Sequence, residues 1–317
     1  MNTVNVIRDV YSLWEPRHYD AAIDVLLTAD EQYLPYCGVC IYSIIKNNKD
    51  LKLNFHIITS SMADKAFADK PEGNASLTLY VIDDGIFEGL QTHDFFPVSI
   101  YYRILAPEIL GRQAKKILYL DCDILCDGDI SALVNIDMGE SIVAAVKDQG
   151  INEAYLTLLD LQKGEYFNSG VLLINTALWL DNNIKGNFFD RINNKRYSYP
   201  DQDCLNEILK GRTLSLDNAY NYIPKHRSAT AKPVFIHYAG QTKPWSVSVD
   251  ESGYNKKYLD LYRSTPWKTL PLVQPKKPFE AYHYSRKLLS QKKPLRSLFW
   301  FTQALYSMAL KTLKRAR

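Results

Sequence analysis

Short apolar runs alternate with helix-like segments along most of the chain, and this alternation constrains the fold most strongly. Strands are predicted over residues 22–28, 53–59, 77–82, 116–120, 142–146, 170–175 and 234–238. Amphipathic or polar helical patterns lie between them, at 34–46, between 59 and 77, at 96–105 and from residue 201. Strands that alternate with helices predict an α/β fold, a mostly parallel, Rossmann-like sheet with helices on its faces.

Length and composition are those of an ordinary globular protein. At 317 residues, with 46% hydrophobic and 23% charged residues, the chain can bury one large domain, or one domain with an appendage. The five cysteines cannot all pair, so reduced thiols in the cytosol are the economical interpretation. Cys37 and Cys40 have the spacing of a redox motif or half a zinc site, but no second pair completes one, and we expect them on the core side of a helix.

Neither a secretory signal nor a membrane span is apparent in the sequence. Residues 1–16 contain Asp9 and lack an apolar core segment. No apolar run approaches the ~20 residues needed to cross a bilayer. We therefore predict a protein that is soluble or peripheral, on the cytoplasmic side of the membrane.

Charge is divided unevenly between the body of the chain and its C-terminus. Residues 275–317 contain eleven Lys or Arg and one acid, a net of +10, so the preceding 274 residues carry −7 of the total +3. Residues 295–317 predict a helix with one broad apolar face, formed by Leu295, Leu298, Phe299, Thr302, Leu305, Tyr306, Ala309 and Leu313. Such a helix either docks on the protein core or lies on an anionic membrane surface. We favour the membrane surface. Nucleic acid is not expected, because no nucleic-acid-binding module is present.

These patterns predict three segments. Residues 1–245 would form the main α/β domain, 246–274 a connecting segment, and 275–317 a basic, amphipathic, membrane-associating tail. The composition of the middle segment, rich in Ser, Lys, Tyr and Pro, marks the boundary.

Two carboxylates follow the apolar run 116–120. Asp121 and Asp123 are one residue apart at the C-terminal end of the predicted strand, where α/β sheets bind ligands. Alternation sends both to one side while Cys122 points away. Converging carboxylates repel each other unless a cation lies between them, so the pair predicts a site for Mg²⁺ or Mn²⁺.

Two further segments carry chemistry of the same kind. Residues 201–203 read Asp-Gln-Asp in a polar turn that opens a helix. His237 ends a strand as a possible third metal ligand, Gly240 permits close backbone approach, and Lys243 offers a positive charge for phosphate. Together these residues predict a site for a metal–diphosphate.

Six blocks, in order, resemble family 8 of the retaining glycosyltransferases, which includes bacterial lipopolysaccharide galactosyl- and glucosyltransferases. They are Leu27–Asp30, Tyr101–Arg103, Leu118–Asp123, Tyr166–Asn175, Asp201–Asp203 and the segment from His237 to Trp245. Pro266–Lys268 and the basic tail resemble the C-terminal extension of lipopolysaccharide core enzymes. The resemblance implies a GT-A fold that binds a UDP-sugar through Mn²⁺ or Mg²⁺.

The resemblance also implies residue roles. Asp121, Asp123 and His237 would be the metal ligands, and Asp148, Asp201, Gln202 and Arg103 the catalytic candidates. The UDP-sugar would contact Ala29, Asp30, Gln32, Tyr101, Arg103, Asp121, Cys122, Asp123, Asn168, Ser169, Asp201, Gln202, His237, Gly240 and Lys243. Ser169 replaces an alanine common in the family.

The expected reaction is transfer of glucose or galactose from UDP-glucose or UDP-galactose to a lipopolysaccharide core acceptor, with retention. Because an amide oxygen is weakly basic, Gln202 is a poor covalent nucleophile, and front-face attack by the acceptor hydroxyl is favoured. Asp148 and Asp201 stay open as nucleophiles.

Three other functions are compatible with parts of the sequence. A family member could use another glycan or a protein as acceptor. A haloacid-dehalogenase-type phosphohydrolase also has Asp-x-Asp after an apolar strand, but Leu125 and the position of the motif fit it poorly. A binding module without catalysis would not need a metal triad.

Overall fold

The structure is a computed structural model that describes residues 6–14, 23–62, 65–92, 97–226, 232–240 and 242–315, with side chains described up to residue 310. The chain forms two compact units, Met1–His237 and Tyr238–Arg317.

An eight-stranded mixed sheet is the centre of the first unit. Its strands are β1 (Ile7–Trp14), β2 (Ile23–Ala29), β3 (Leu53–Thr59), β4 (Ala75–Ile82), β5 (Lys116–Leu120), β7 (Val143–Lys147), β8 (Phe167–Asn175) and β9 (Thr213–Leu216). A separate two-stranded sheet pairs β6 (Ile124–Cys126) with β10 (Phe235–His237).

The strand order is β1-β4-β3-β2-β5-β8-β7-β9. Among the described residues, β2–β3, β2–β5, β3–β4 and β7–β9 pair in parallel, whereas β1–β4, β5–β8 and β7–β8 are antiparallel. The central strands are mostly buried, and β3 is buried along its whole length, as expected for strands covered on both faces. The α/β fold with a large, helix-flanked sheet is therefore confirmed.

Seven α-helices lie within the described residues of the first unit. They are α1 (Leu34–Asn47), α2 (Ala106–Leu110), α3 (Ser131–Val134), α4 (Glu153–Leu158), α5 (Thr176–Asp181), α6 (Ile184–Asn194) and α7 (Pro200–Ile208). Short 3₁₀ helices occur at Lys65–Ala68, Asp84–Phe87, Val98–Leu105, Asn218–Asn221 and Pro224–His226. The thiols of Cys37 and Cys40 are buried on α1, on its core side as expected, and burial raises the pKa of both.

Several predicted elements differ from the observed ones. The helix predicted over 96–105 is a 3₁₀ helix, Val98–Leu105, and residue 96 lies outside the described part. Pro97, immediately before it, is extended (φ −68°, ψ 166°). The helical stretch predicted between β3 and β4 is reduced to the single 3₁₀ turn Lys65–Ala68 in the described residues. β1 and β9 were not predicted, because one is a largely exposed edge strand and the other is only four residues long.

The chain passes from β5 through Asp121 and Asp123 directly into β6. β6 is antiparallel to β10, with Ile124 opposite His237. On the other side, the Asp121 backbone N–H donates to the Gly170 carbonyl of β8 (2.9 Å). These pairings fix the two carboxylates and the imidazole at one edge of the sheet.

The second unit contains α8 (Gly253–Tyr262), a 3₁₀ helix (Pro266–Thr269), α9 (Pro278–Ser290) and α10 (Pro294–Arg315). α8 thus lies within the segment 246–274 that was predicted to be a connection. α9 and α10 pack through small or aromatic residues: the Ser297 hydroxyl donates to the Ser285 carbonyl (2.7 Å), and the rings of Tyr284 and Trp300 are 5.5 Å apart.

The apolar face of α10 is not the face that packs on α9. Among its described side chains only Ser297 and Ala304 are buried. Exposed large apolar side chains are Leu295, Leu298, Phe299, Phe301, Leu305, Tyr306, Met308 and Leu310; Leu313 lies outside the described side chains. Within the described residues, no helix is both long and apolar enough to cross a membrane.

Candidate active site

Two carboxylates and one imidazole converge at the end of β5. The His237 Nε2 atom lies 3.3 Å from Asp123 Oδ1 and 3.8 Å from Asp121 Oδ2. One potential ligand atom from each residue lies within 4.8 Å of the others. Carboxylate oxygen and imidazole nitrogen are ligands that Mn²⁺ accepts, so the three side chains can hold a divalent ion together.

Gly170 leaves the room that this cluster occupies. A Cβ atom at residue 170 would lie 2.4 Å from His237 Cε1 and 2.9 Å from Asp121 Oδ2, closer than real contacts allow. The backbone of β8 can therefore pass directly behind the side chains of His237 and Asp121 only because residue 170 is a glycine.

Arg103 links the metal-site carboxylate to the helix α7. Its guanidinium donates to Asp121 Oδ1 (3.0 Å) and to the Ser169 carbonyl (2.9 Å), and lies 3.4 Å from Asp201 Oδ2. It also lies 4.4 Å from the centre of the Tyr119 ring. Burial alone would lower the pKa of Arg103, but the carboxylates of Asp121 and Asp201 raise it above its usual value. Arg103 thus stays charged in the protein interior.

Asp201 is the deeply buried partner of that arginine. Burial raises the pKa of the Asp201 carboxyl, and the guanidinium of Arg103 opposes the rise. The Ser169 hydroxyl donates to Asp201 Oδ2 (3.2 Å). The charges of Arg103 and Asp201 therefore compensate each other in the protein interior, away from water.

Gln202 is held at both ends of its amide. Its Oε1 accepts from the Ser169 backbone N–H (3.0 Å) and from Asn168 Nδ2 (3.1 Å). Its Nε2 donates to Asp148 Oδ2 (3.2 Å) and to the Tyr166 hydroxyl (3.0 Å). The structure therefore brings Asp148, Asn168, Ser169 and Gln202 into one polar cluster, as the resemblance implies.

Asp203 supports this cluster from behind, a role that was not predicted. Asp203 accepts hydrogen bonds from the hydroxyls of Tyr155 and Tyr166 (2.5 Å each) and from the Tyr199 backbone N–H (2.8 Å). Burial raises the pKa of Asp203, and those hydrogen bonds oppose the rise. Asp203 thus holds Tyr166 against Gln202, a role that its place in the Asp-Gln-Asp motif does not reveal.

Asn221 was also not predicted as a site residue. Its side chain lies between His237 Nδ1 (2.8 Å) and Asn168 Oδ1 (2.8 Å). No sequence signal distinguished it from the other asparagines of the chain, because the contact depends on the long-range pairing beside β10.

The residues predicted to contact uridine lie at the end of β2. Ala29 is buried at the last position of the strand, and Asp30 follows it. Asp30 Oδ1 accepts from the Tyr33 backbone N–H (3.1 Å), and burial raises the pKa of this carboxyl. Gln32 is exposed in the turn before α1. Their position at a strand end suits a nucleotide, and the contact itself stays a prediction.

Two predicted contact residues point into the core instead. Tyr101 is fully buried, its hydroxyl donates to the Gln91 carbonyl (2.5 Å), and its ring stacks on Phe87. The Cys122 thiol donates to the Thr28 carbonyl (3.0 Å), so only its backbone is free to face the carboxylates. The side chains of both residues are directed into the protein interior.

Gly240 and Lys243 belong to the second unit, a few residues after His237. Gly240 has φ +108°, a backbone conformation that residues with a side chain rarely adopt. Lys243 Nζ donates to the Tyr238 carbonyl (3.3 Å). Their predicted role at the diphosphate stays a prediction.

A cavity of about 630 Å³ adjoins the polar cluster. Asp148 and Tyr166 line it together with Lys147, Leu156, Ser215 and Leu216. Its volume is that of a typical small-ligand site, and its mixed polar and apolar lining suits a carbohydrate.

Comparison with known proteins identifies the family. The profile described as Glycosyl transferase family 8 matches residues 24–248. The chain belongs to this family. The haloacid-dehalogenase alternative is therefore excluded, and the protein is a glycosyltransferase.

Two relatives match most of the chain. The lipopolysaccharide 1,2-glucosyltransferase of Escherichia coli is 33% identical over 85% of this chain and 86% of its own length. The lipopolysaccharide 1,3-galactosyltransferase of Salmonella typhimurium is 27% identical over 87% of this chain and 88% of its own length. Among solved structures, an active-site mutant of LgtC superposes with a TM-score of 0.70 at 24% identity, covering 78% of this chain and 98% of that chain. The GT-A fold is thereby confirmed.

Proposed function

We propose that this glycosyltransferase transfers glucose or galactose from a UDP-sugar to a lipopolysaccharide core oligosaccharide, with retention of configuration. The observation that carries the proposal is the convergence of Asp121, Asp123 and His237 beside the cluster of Asp148 and Gln202. Two relatives that act on lipopolysaccharide match over nearly their whole length, and one is named for glucose and the other for galactose.

The three converging side chains fit a divalent ion. Two carboxylates and one neutral imidazole suit Mn²⁺ or Mg²⁺, and Gly170 keeps the space around them open. When bound, the ion would neutralise charge on the diphosphate leaving group. Gly240 and Lys243 would bind the same diphosphate, while Ala29, Asp30 and Gln32 would face uridine.

The polar cluster is arranged to hold the donor sugar rather than to attack it. The oxygens of Gln202 and Asp201 already accept hydrogen bonds from Ser169, and Asp201 is also paired with Arg103. Asp148 Oδ2 accepts from both Asn168 and Gln202. Side chains with their lone pairs engaged are weak nucleophiles but strong positioning groups.

We therefore assign a front-face reaction. The acceptor oxygen bonds to the anomeric carbon on the face from which the phosphate departs, the bond from that carbon to the phosphate oxygen breaks, and the acceptor proton passes to the departing oxygen. Polar atoms of Gln202 and Asp148 would stabilise the oxocarbenium-like sugar. Trapping of a covalent sugar adduct on Asp148 or Asp201 would overturn this assignment.

The acceptor is tested directly with labelled donor. Purified protein should move radiolabelled glucose or galactose from the UDP-sugar onto core oligosaccharide, and the product should be α-linked by NMR. A β-linked product would contradict retention. Transfer to another glycan or to a protein, but not to core oligosaccharide, would contradict the proposed acceptor.

The cavity beside Asp148 is proposed to receive the acceptor. Substitution Ser215→Trp fills it from an exposed position on β9, so we expect KM for an oligosaccharide acceptor to rise about tenfold, ~1.4 kcal/mol of binding free energy. UDP-sugar hydrolysis without acceptor should stay unchanged. Gln162→Trp is the matched control, since Gln162 is exposed and does not line the cavity. Equal acceptor KM in both variants would refute this placement.

The tail is proposed to hold the enzyme on the cytoplasmic face of an anionic membrane. The exposed face of α10 presents the apolar side chains, and residues 275–317 carry the basic charge. Deletion after Lys292 should reduce sedimentation with anionic vesicles while sparing UDP-sugar hydrolysis. Leu298→Glu/Leu305→Glu should do the same without removing the helix. Undiminished sedimentation of either variant would show that the tail is not the anchor.

A further inference from the structure

Both ends of the Asn221 side chain are engaged in the site. Asn221 is 4% exposed at the end of the 3₁₀ helix Asn218–Asn221. Its Oδ1 lies 2.8 Å from His237 Nδ1, and its Nδ2 donates to Asn168 Oδ1 over 2.8 Å. One buried amide therefore touches both the candidate metal ligand and the polar cluster.

The hydrogen bonds around Asn168 determine which way the Asn221 amide points. Asn168 Oδ1 also accepts from the Gly170 backbone N–H (3.1 Å), while Asn168 Nδ2 donates to Asp148 and Gln202. The Asn168 oxygen therefore faces Asn221, which must present its NH₂ group there. The Asn221 oxygen is left facing His237.

This orientation selects one tautomer of His237. An oxygen acceptor at Nδ1 requires that Nδ1 carries the hydrogen, and in the neutral imidazole that ligates a metal this leaves the lone pair on Nε2. Nε2 is the atom that lies 3.3 Å from Asp123 and 3.8 Å from Asp121. The imidazole thus presents its free lone pair where a metal would bind.

Backbone pairing keeps Asn221 in register with His237. The Tyr222 N–H donates to the Phe235 carbonyl and the His237 N–H donates to the Tyr222 carbonyl, each over 2.9 Å. Asp217 caps the preceding turn through the Ala219 N–H (2.8 Å). The backbone of Asn221 is therefore placed beside His237 by hydrogen bonds other than those of its own side chain.

We infer that Asn221 is a positioning residue that orients His237 for metal binding and couples it to the donor-sugar cluster through Asn168. This inference rests on the proposed function, because it assumes the metal and the UDP-sugar. Partners that fix a metal-ligating histidine typically change metal affinity by about 10- to 100-fold when they are removed.

Two substitutions separate the two ends of the amide. Asn221→Ala removes both contacts. Asn221→Asp keeps an oxygen acceptor for the Nδ1–H of His237 but cannot donate to Asn168. Asn48→Ala is the matched control, because Asn48 is equally buried (5% exposed) and hydrogen-bonded to Ile44, Gly128 and Ile130, outside the site.

The readouts are the Mn²⁺ affinity measured calorimetrically with saturating UDP, the ¹⁵N NMR signature of the His237 tautomer, and UDP-sugar hydrolysis. We expect Asn221→Ala to lose the Nδ1–H tautomer and to bind Mn²⁺ about 10- to 100-fold more weakly. Asn221→Asp should retain the Nδ1–H tautomer and bind Mn²⁺ with an affinity within about threefold of wild type. It should nevertheless hydrolyse the UDP-sugar at least about tenfold more slowly. Asn48→Ala should lower the melting temperature without changing the tautomer or the Mn²⁺ affinity.

Failure of this inference is distinguishable from failure of the proposed function. Wild-type protein that binds no Mn²⁺ with UDP would refute the metal site itself. Wild-type Mn²⁺ binding that is unchanged in Asn221→Ala, or an equal loss in Asn48→Ala, would refute the positioning role alone. Equal hydrolysis by wild type and Asn221→Asp would refute the coupling through Asn168.

Discussion

Exchange of Asp123 for alanine is expected to abolish metal-dependent binding of the UDP-sugar and to lower its turnover by about 10³-fold or more, since a bound metal supplies several kcal/mol of charge stabilisation. Asp123 is 6% exposed and lies 3.3 Å from His237 Nε2. Without it, Asp121 and His237 remain as two ligands, too few for tight binding of a divalent ion. The fold should persist, because the substitution removes a buried carboxylate from a repulsive pair.

The measurement is calorimetric titration of UDP in the presence and absence of Mn²⁺. Asp137→Ala is the control, an exposed carboxylate outside the cluster. Asp123→Ala should bind UDP equally weakly with and without Mn²⁺, whereas Asp137→Ala should behave as wild type. Unchanged Mn²⁺ dependence in Asp123→Ala would refute the assignment of the metal ligands.

Replacement of Arg103 by methionine is expected to cost both activity and stability. It leaves the buried carboxylate of Asp201 without its counter-ion and frees Asp121 from its 3.0 Å contact. Removal of one partner of a buried ion pair typically lowers the free energy of unfolding by about 3–5 kcal/mol. Turnover should fall by about 10²-fold or more, because Asp121 and the Ser169 backbone lose the group that holds them together.

The pH dependence of that loss has a defined sign. Burial raises the pKa of Asp201, and without Arg103 the pKa should rise further. An acid with a raised folded-state pKa destabilises the protein above that pKa, and the destabilisation disappears as the pH falls through it. Denaturant unfolding of Arg103→Met should therefore show a larger deficit at pH 7 than at pH 5. A deficit that grows on acidification would contradict the buried ion pair.

A double variant separates stability from catalysis. Arg103→Met/Asp201→Asn no longer leaves the Asp201 carboxylate buried without its counter-ion, so it should recover most of the unfolding free energy lost through Asp201. It should not recover turnover, because Asp121 is still unsupported. Recovery of turnover as well would mean that Arg103 acts only as a structural ion-pair partner.

The sequence predicted the sheet well where local pattern and tertiary burial agree. β3 was predicted at its observed limits, 53–59, because all seven of its residues are buried and the polar residues Lys52 and Ser60 flank it. The carboxylates Asp121 and Asp123 were placed at a strand end by the same logic. In contrast, the edge strand β1 has mostly solvent-facing side chains, and nothing in its composition requires pairing with β4.

The second layer of the site could not be predicted in the same way. Asp203 and Tyr166 meet across 37 residues, and Asn221 reaches Asn168 across 53 residues. These contacts depend on how β8, α7 and the turn before β10 pack together, which no local spacing encodes. Tyr101 shows the opposite case, since its neighbour Arg103 reaches the site while Tyr101 itself packs in the core.

The most direct test of the central proposal is release of UDP from a panel of UDP-sugars, measured with Mn²⁺ and again with EDTA. Turnover of UDP-glucose or UDP-galactose that requires Mn²⁺ and stops with EDTA is the expected result, and it names the donor at the same time. No UDP release from any donor, or release that EDTA leaves unchanged, would contradict a metal-dependent hexosyltransferase.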